Sequence, residues 1–266
     1  MKIVNTIAQA NLLPLWKWKL RVWDFEFIAP SLDRLAALFL HKFGLLGKPE
    51  RLFFEQKLKP GMSVVDIGAN QGLYSLMFSR LVGETGTVIA FEPEPDMFAA
   101  FEMNISANSI KNIECHRLAL GAKSSEAMLS RSLINGGDNR LGSGHSDTTS
   151  MKKPVRIVTL DEIVGSRKID FIKMDVQGWE GEAIRGMKAT LQRNPTIGVH
   201  FEFWPAGLRR SGCEPLELLQ LISQQGFQIH WRRDGGETLV RDFPLFLSEL
   251  SQDQFVNLYA QRGQLA

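Results

Sequence analysis

The sequence is poor in cysteine. Cys115 and Cys213 are its only two. Neither stands near another Cys or His at metal-ligand spacing, which excludes a disulfide framework and a zinc knuckle and fits a reducing compartment. No run approaches the roughly 18 apolar residues that a bilayer-spanning helix needs. Asn5, Gln9, Asn11 and Pro14 break up the apolar stretch near the start, so no signal peptide is expected and the cytoplasm is the expected location. Charge of one sign is also scarce: 31 Lys+Arg face 29 Asp+Glu, a net +2. That balance argues against a protein held to nucleic acid by bulk electrostatics. Internal repeats, low-complexity tracts and an interdomain linker are missing as well.

What the chain does have is length and apolar content. Its 266 residues are 44% hydrophobic and 23% charged, enough for one large α/β domain or one domain with an extension. The small net charge is unevenly divided. Residues 1–61 hold 10 Lys+Arg against 5 Asp+Glu, which leaves 21 against 24 for the rest. In this basic front end Trp16, Trp18 and Trp23 alternate with Lys17, Lys19 and Arg21. Beyond them, Leu32, Leu35, Leu38 and Phe39 recur at helical spacing between Ser31 and Gly44. Residues 1–49 therefore read as a helical extension, either a lid packed on the main domain or a surface for peripheral membrane contact, the lid being preferred. Residues 50–266 read as the main domain.

From Gly61 onward short apolar runs alternate with helical stretches. Strands are expected at Ser63–Ile67, Thr87–Phe91, Ile113–Leu120, Ile169–Asp175 and Ile197–Phe203, with a later pair near Phe227–Trp231 and Phe243–Leu247. Helices are expected at Gly72–Leu81, Asp96–Asn108 and Glu180–Arg193. This rhythm implies a mostly parallel, seven-stranded sheet with helices on both faces. Between Gly121 and Pro154 it breaks into a strand followed by a long loop rich in Gly, Ser, Asp and Asn, a length that suggests function.

The segment SVVDIGANQGLYSLMFSRLV is a strand, a turn carrying Gly68 and Gly72, and an apolar helix. Doubly wound folds bind nucleotides at such a turn. Glu92 follows the next strand, where a carboxylate accepts both hydroxyls of a ribose. A dinucleotide is disfavoured: the turn lacks the G-x-G-x-x-G spacing, and Asp66 before it repels a pyrophosphate. A P-loop is excluded because no G-K-[ST] follows. Asp66 suits instead the cationic ammonium of S-adenosylmethionine, and Asn70 has hydrogen-bonding capacity for its amino-acid end.

VVDIGANQGLYS, AFEPEPDMFAAFEMNISAN, VTLDEIV and FIKMDVQGWEGEAIRGM together resemble the FkbM-type S-adenosylmethionine-dependent methyltransferases. The resemblance spans about Lys59 to Phe227. It implies a class I Rossmann-like fold, transfer of a methyl group to a hydroxyl of a carbohydrate or secondary metabolite, and a cofactor site that includes the positions of Asp66, Gly68, Asn70 and Glu92. This chain departs from the family at Gln177, where Glu is common, so no role for a carboxylate there carries over.

Methyl transfer is an in-line displacement that depends on positioning, and a hydroxyl acceptor gains from a base or a metal. Asp175 is the leading candidate for a base, with the alternative that it caps the following helix and pairs with Lys173. Glu202, with His200 on the same strand face, and His145 in the Gly/Ser loop are further candidates. Asp175 and Glu202 can also offer oxygen ligands to a divalent metal, whose presence the sequence leaves open. Arg140 offers a clamp for an anion. An amine acceptor on nucleic acid is disfavoured, because KMDVQGWE lacks the Asn/Asp-Pro-Pro-aromatic turn that cradles a planar amine. A protein that binds S-adenosylmethionine without catalysis, docking through its basic front end, is the competing reading.

Overall fold

The computed structural model describes residues 19–30, 32–132, 140–141, 150–233 and 236–262. Its front end opens on an antiparallel hairpin, β1 (Lys19–Val22) and β2 (Phe25–Ile28), followed by helices α1 (Leu32–Lys42) and α2 (Lys48–Lys57). The extension is thus a hairpin and a helix rather than helical throughout. Trp23 and Asp24 turn the hairpin at φ 50° and 73°. Trp16, Lys17 and Trp18 lie outside the described residues.

The main sheet is built from β3 (Ser63–Ile67), β4 (Thr87–Phe91), β5 (Ile113–His116), β10 (Phe171–Met174), β11 (Gly198–Phe203), β12 (Phe227–Arg233), β13 (Gly236–Leu239) and β14 (Val256–Arg262). Their order is β13-β12-β14-β11-β10-β3-β4-β5. The five strands from β11 to β5 run parallel, and β14, β12 and β13 pair antiparallel. The sheet has eight strands where seven are read from the sequence: β13 and β14 are additional, and the expected strand at Phe243–Leu247 is not in it.

Alternation along the strands explains why both sheet faces are covered. Val65, Ile67, Ile89, Phe91, Ile172 and Met174 point into one apolar layer, and Val64, Val88, Ala90 and Phe171 into the other. The second layer takes Phe53 and Phe54 of α2, Leu76 and Phe78 of α3 (Leu73–Val82) and Phe101 of α4 (Pro95–Ala107). Val22, Phe25 and Phe27 of the hairpin sit in this same layer. Asn104 of α4 and Asn108, which caps its end, accept hydrogen bonds from Ile28 N and Glu26 N at 2.7 and 2.8 Å, so residues 19–30 are built onto the domain. The first layer takes α5 (Leu160–Val164), α6 (Glu180–Arg185), α7 (Lys188–Arg193), α8 (Pro205–Arg210), α9 (Pro215–Ser223) and α10 (Phe243–Ser248).

Four expectations change. Phe243–Leu247 is α10 and not a strand, because Asp242 accepts from Leu245 N and Pro244 stands in the first turn. The Ile113–Leu120 run is two strands: β5 in the main sheet and β6 (Ala119–Leu120) in a second one. The long helix from Glu180 is interrupted at Gly186, where a Cβ would lie 2.0 Å from Gly121 O. The interval after Gly121 contributes β7 (Ser125–Ser132), β8 (Arg140–Leu141) and β9 (Ser150–Val158), which join β6 in a second sheet of order β6-β9-β7-β8. Residues 133–139 and 142–149 lie outside the described residues. No described helix is long and apolar enough to cross a membrane.

Candidate active site

Parallel strands deliver their carboxyl ends to one edge of a sheet, and the loops after them enclose a cavity of about 510 Å³. It is lined by the β3–α3 turn (Gly68, Ala69, Asn70, Gln71), by Glu92 after β4, by Asp175, Val176 and Gln177 after β10, and by Glu202 on β11. Ala119, Leu120 and Leu129 bring the second sheet to its wall. The break in the β/α rhythm therefore supplies part of the site. Lys153 of β9 fastens that sheet to the loop after β4 through Glu94 at 3.0 Å.

Two loop backbones touch beneath the cavity. A Cβ on Gly68 would stand 1.9 Å from Asp175 O, and its φ of +80° is one that glycine adopts without strain. Asn70 and Gln177 hold φ of 54° and 56° without being glycine, at a cost of roughly 1 kcal/mol or more each. Both line the cavity.

Glu92 is buried, with Oε2 accepting from Asn70 N and Oε1 from Glu94 N, both at 2.8 Å. Burial pushes its carboxyl up to about 7 despite those two bonds. Each oxygen keeps a further lone pair for a donor from the cavity.

On the other side, Gln177 Nε2 donates to Asp175 Oδ1 and to Glu202 Oε2, at 2.9 Å each. Burial, then the nearby Asp175 and Glu180, push Glu202 up to about 9, so it carries a proton at neutral pH. Glu180 is buried beneath this loop, accepts from Val176 N at 3.1 Å, and is itself pushed up to about 8 by burial. Trp179 Nε1 donates to Leu120 O at 3.0 Å and pins the loop to the second sheet.

Sequence reasoning brings Gly68, Asn70, Glu92, Asp175 and Glu202 to this cavity. Asp66 and Gly72 have other surroundings. Asp66 is fully buried behind the wall, bonded to Ser75 Oγ at 2.5 Å and paired with Lys173 Nζ at 3.2 Å. The alternative that Asp175 pairs with Lys173 gives way to another partner: parallel register sets Lys173 beside Asp66, and its Nζ also donates to Gly68 O at 3.2 Å. Burial alone would lower the Lys173 ammonium, but Asp66 and Asp175 outweigh it and hold it above its ordinary value. A Cβ on Gly72 would meet the Phe101 ring at 2.1 Å, so this glycine lets α3 pack on α4. Asp175 does not cap α6, whose start has no side-chain cap.

His200 packs between the Phe53 and Phe54 rings at 5.3 and 4.9 Å, away from the cavity lining. Burial and the charges of Arg232 and Lys173 keep it neutral. His145 lies outside the described residues, as does the Arg140 side chain. Among the described residues no three His, Cys, Asp or Glu side chains converge as metal ligands. Gln177 and Trp179 are among the cavity residues to which spacing alone gives no role, although both sit within the KMDVQGWE run.

The Methyltransferase FkbM domain family matches residues 66–229. The chain is 30% identical over 116 residues to 31-O-demethyl-FK506 methyltransferase FkbM of Streptomyces tacrolimicus, covering 44% of this chain and 43% of that one. It is 25% identical over 162 residues to the hexuronic acid methyltransferase AglP of Haloferax volcanii, covering 60% of each. A solved structure described as an rRNA methylase of Clostridium thermocellum shares the fold at 11% identity and a TM-score of 0.51, with 82% of this chain and 97% of that one covered.

Proposed function

The chain belongs to the FkbM methyltransferase family, and from that premise we propose that it moves a methyl group from S-adenosylmethionine to a hydroxyl of a sugar or secondary metabolite. One observation carries the reading. A single cavity at the carboxyl edge has the Glu92 carboxylate on one side and the Asp175–Gln177–Glu202 group on the other. Glu92 follows β4 and Glu202 stands near the end of β11, three strand spacings or about 14 Å apart along the edge.

The lining fits this cofactor. Glu92 has lone pairs for two ribose hydroxyls, Phe91 and Leu118 give an apolar wall for a base, and the carboxyl groups suit a sulfonium cation. The same carboxyl groups disfavour a pyrophosphate. The bound cofactor supplies an electrophilic methyl group. Asp175 would take the proton of the acceptor hydroxyl. Glu202, protonated at neutral pH, donates to the acceptor oxygen and fixes its line of approach. Gln177 holds both carboxyl groups in place through its one amide nitrogen.

The O-methyl assignment draws on two relatives: the Streptomyces protein's name specifies an O-methyl position, and the Haloferax protein's a hexuronic acid. The test is calorimetry with S-adenosylhomocysteine, followed by labelled methyl transfer to a panel of sugars and hydroxylated metabolites. Saturable binding and a methyl label that resists mild base, as an ether does and an ester does not, support the reading. Binding without transfer to any acceptor favours a non-catalytic cofactor-binding protein.

A further inference from the structure

Helix α1 is apolar on two faces. Leu35 and Leu38 turn inward with His41, whose ring meets Trp23 and Tyr74 at 5.5 and 6.1 Å. Phe39, Leu40 and Phe43 turn outward with exposures of 49%, 43% and 62%, and Leu45 and Leu46 beyond the helix are 75% and 46% exposed. The outer patch is continuous. The Phe39 and Phe43 rings lie 5.3 Å apart, and the amides of Leu45 and Leu46 both donate to Leu40 O. Gly44 and Gly47, each at φ +68°, make the turn that keeps both leucines out. Five of the nine large exposed hydrophobics among the described residues fall within these eight positions. A patch this dense marks an interaction surface.

Charge selects the occupant. From Arg34 to Pro49 the sequence holds Arg34, Lys42 and Lys48 but no Asp or Glu. Lys42 and Lys48 are exposed beside the patch. Lysine is depleted from protein–protein interfaces, whereas apolar insertion beside lysines is how an interfacial helix holds an anionic bilayer. The segment also edges the cavity, to which Arg34, Ala37, His41 and Leu46 contribute. Leu46 belongs to both surfaces.

We propose that the α1 patch seats the protein on an anionic lipid surface with the cavity mouth turned toward the bilayer, so that the acceptor hydroxyl is carried on a lipid. The lipid seat stands on the patch alone; the lipid-borne acceptor rests on the methyltransferase reading above.

The experiment is co-sedimentation of the full chain with vesicles of phosphatidylcholine alone and of phosphatidylcholine mixed with phosphatidylglycerol. The variants are F43S/L45S and K42E/K48E, and S-adenosylhomocysteine binding is measured on each protein. The wild type is expected to pellet with the anionic vesicles, several-fold less with phosphatidylcholine alone and less again at high salt. Each double variant is expected to pellet several-fold less while binding S-adenosylhomocysteine like the wild type. Wild type remaining in the supernatant, or F43S/L45S pelleting equally, overturns the proposal. So does self-association that F43S/L45S abolishes without any vesicle binding, which assigns the patch to a second copy. Loss of S-adenosylhomocysteine binding by the wild type contradicts the methyltransferase reading and leaves the vesicle result to stand on its own.

Discussion

Lys173 Nζ lies 3.2 Å from Asp66 Oδ1, and both side chains are buried. The Asp66 carboxylate, which the motif offers to a cationic ligand, is already compensated inside the fold. Its work is to hold the Gly68 turn, since Lys173 also donates to Gly68 O. Lys173→Met strands a buried carboxylate and is expected to cost about 3–5 kcal/mol of stability by urea denaturation. The double variant Asp66→Asn/Lys173→Met recovers much of that loss. Equal stability of wild type and Lys173→Met removes the pair from the structural account.

Gln177 sets the charge between the two carboxyl groups facing the cavity. Gln177→Glu sets a second carboxyl beside Asp175 and loses the hydrogen bond to it, while the protonated Glu202 donates to the new side chain. A destabilisation of about 2 kcal/mol is expected near about pH 8, shrinking near about pH 5 as the introduced carboxyl takes up a proton. Denaturant midpoints at the two pH values measure it, and a loss that does not depend on pH contradicts the amide's role.

Cofactor affinity should follow the ionisation of Glu92. Its carboxyl, raised from 4.5 to about 7 by burial, must be ionised to accept from two ribose hydroxyls. S-adenosylhomocysteine affinity therefore rises with pH through about 7 and levels off above it. Calorimetry across that range is expected to show the rise in the wild type and not in Glu92→Gln, which binds more weakly at every pH. The same rise in both proteins assigns it to another group.

The protonated Glu202 imposes a pH dependence on stability. Its folded value of about 9 stands above an unfolded 4.5, so between those limits the folded state holds a proton that the unfolded chain releases. Its contribution is fully present below 4.5 and is lost as pH rises toward 9. Glu202→Gln cannot ionise. Its melting temperature is expected to match the wild type near about pH 5 and exceed it near about pH 9.

The parallel half of the fold was legible because β3 and β4 are short, mostly apolar runs next to Gly turns, and their limits coincide with the sequence reading. The carboxyl edge was legible for the same reason: Gly68, Asn70, Glu92 and Asp175 follow strands, and Glu202 is next to last in β11. The antiparallel end was not, since β14 reads VNLYAQR with weak alternation and its partners are distant in sequence. Phe243–Leu247 misled by its apolar run, which the Asp242 cap turns into a helix. The partner of Lys173 was missed because spacing compares residues along one strand, while its charge is answered across the sheet by Asp66. The bridge made by Gln177 depends on a backbone φ of 56° that no residue pattern discloses.

The structure of the complex with S-adenosylhomocysteine tests the central claim most directly. Both ribose hydroxyls are expected on the Glu92 carboxylate, with the sulfur directed at the side of the cavity that holds Asp175 and Glu202. A ribose bound away from Glu92, or a sulfur turned away from Asp175 and Glu202, contradicts the account.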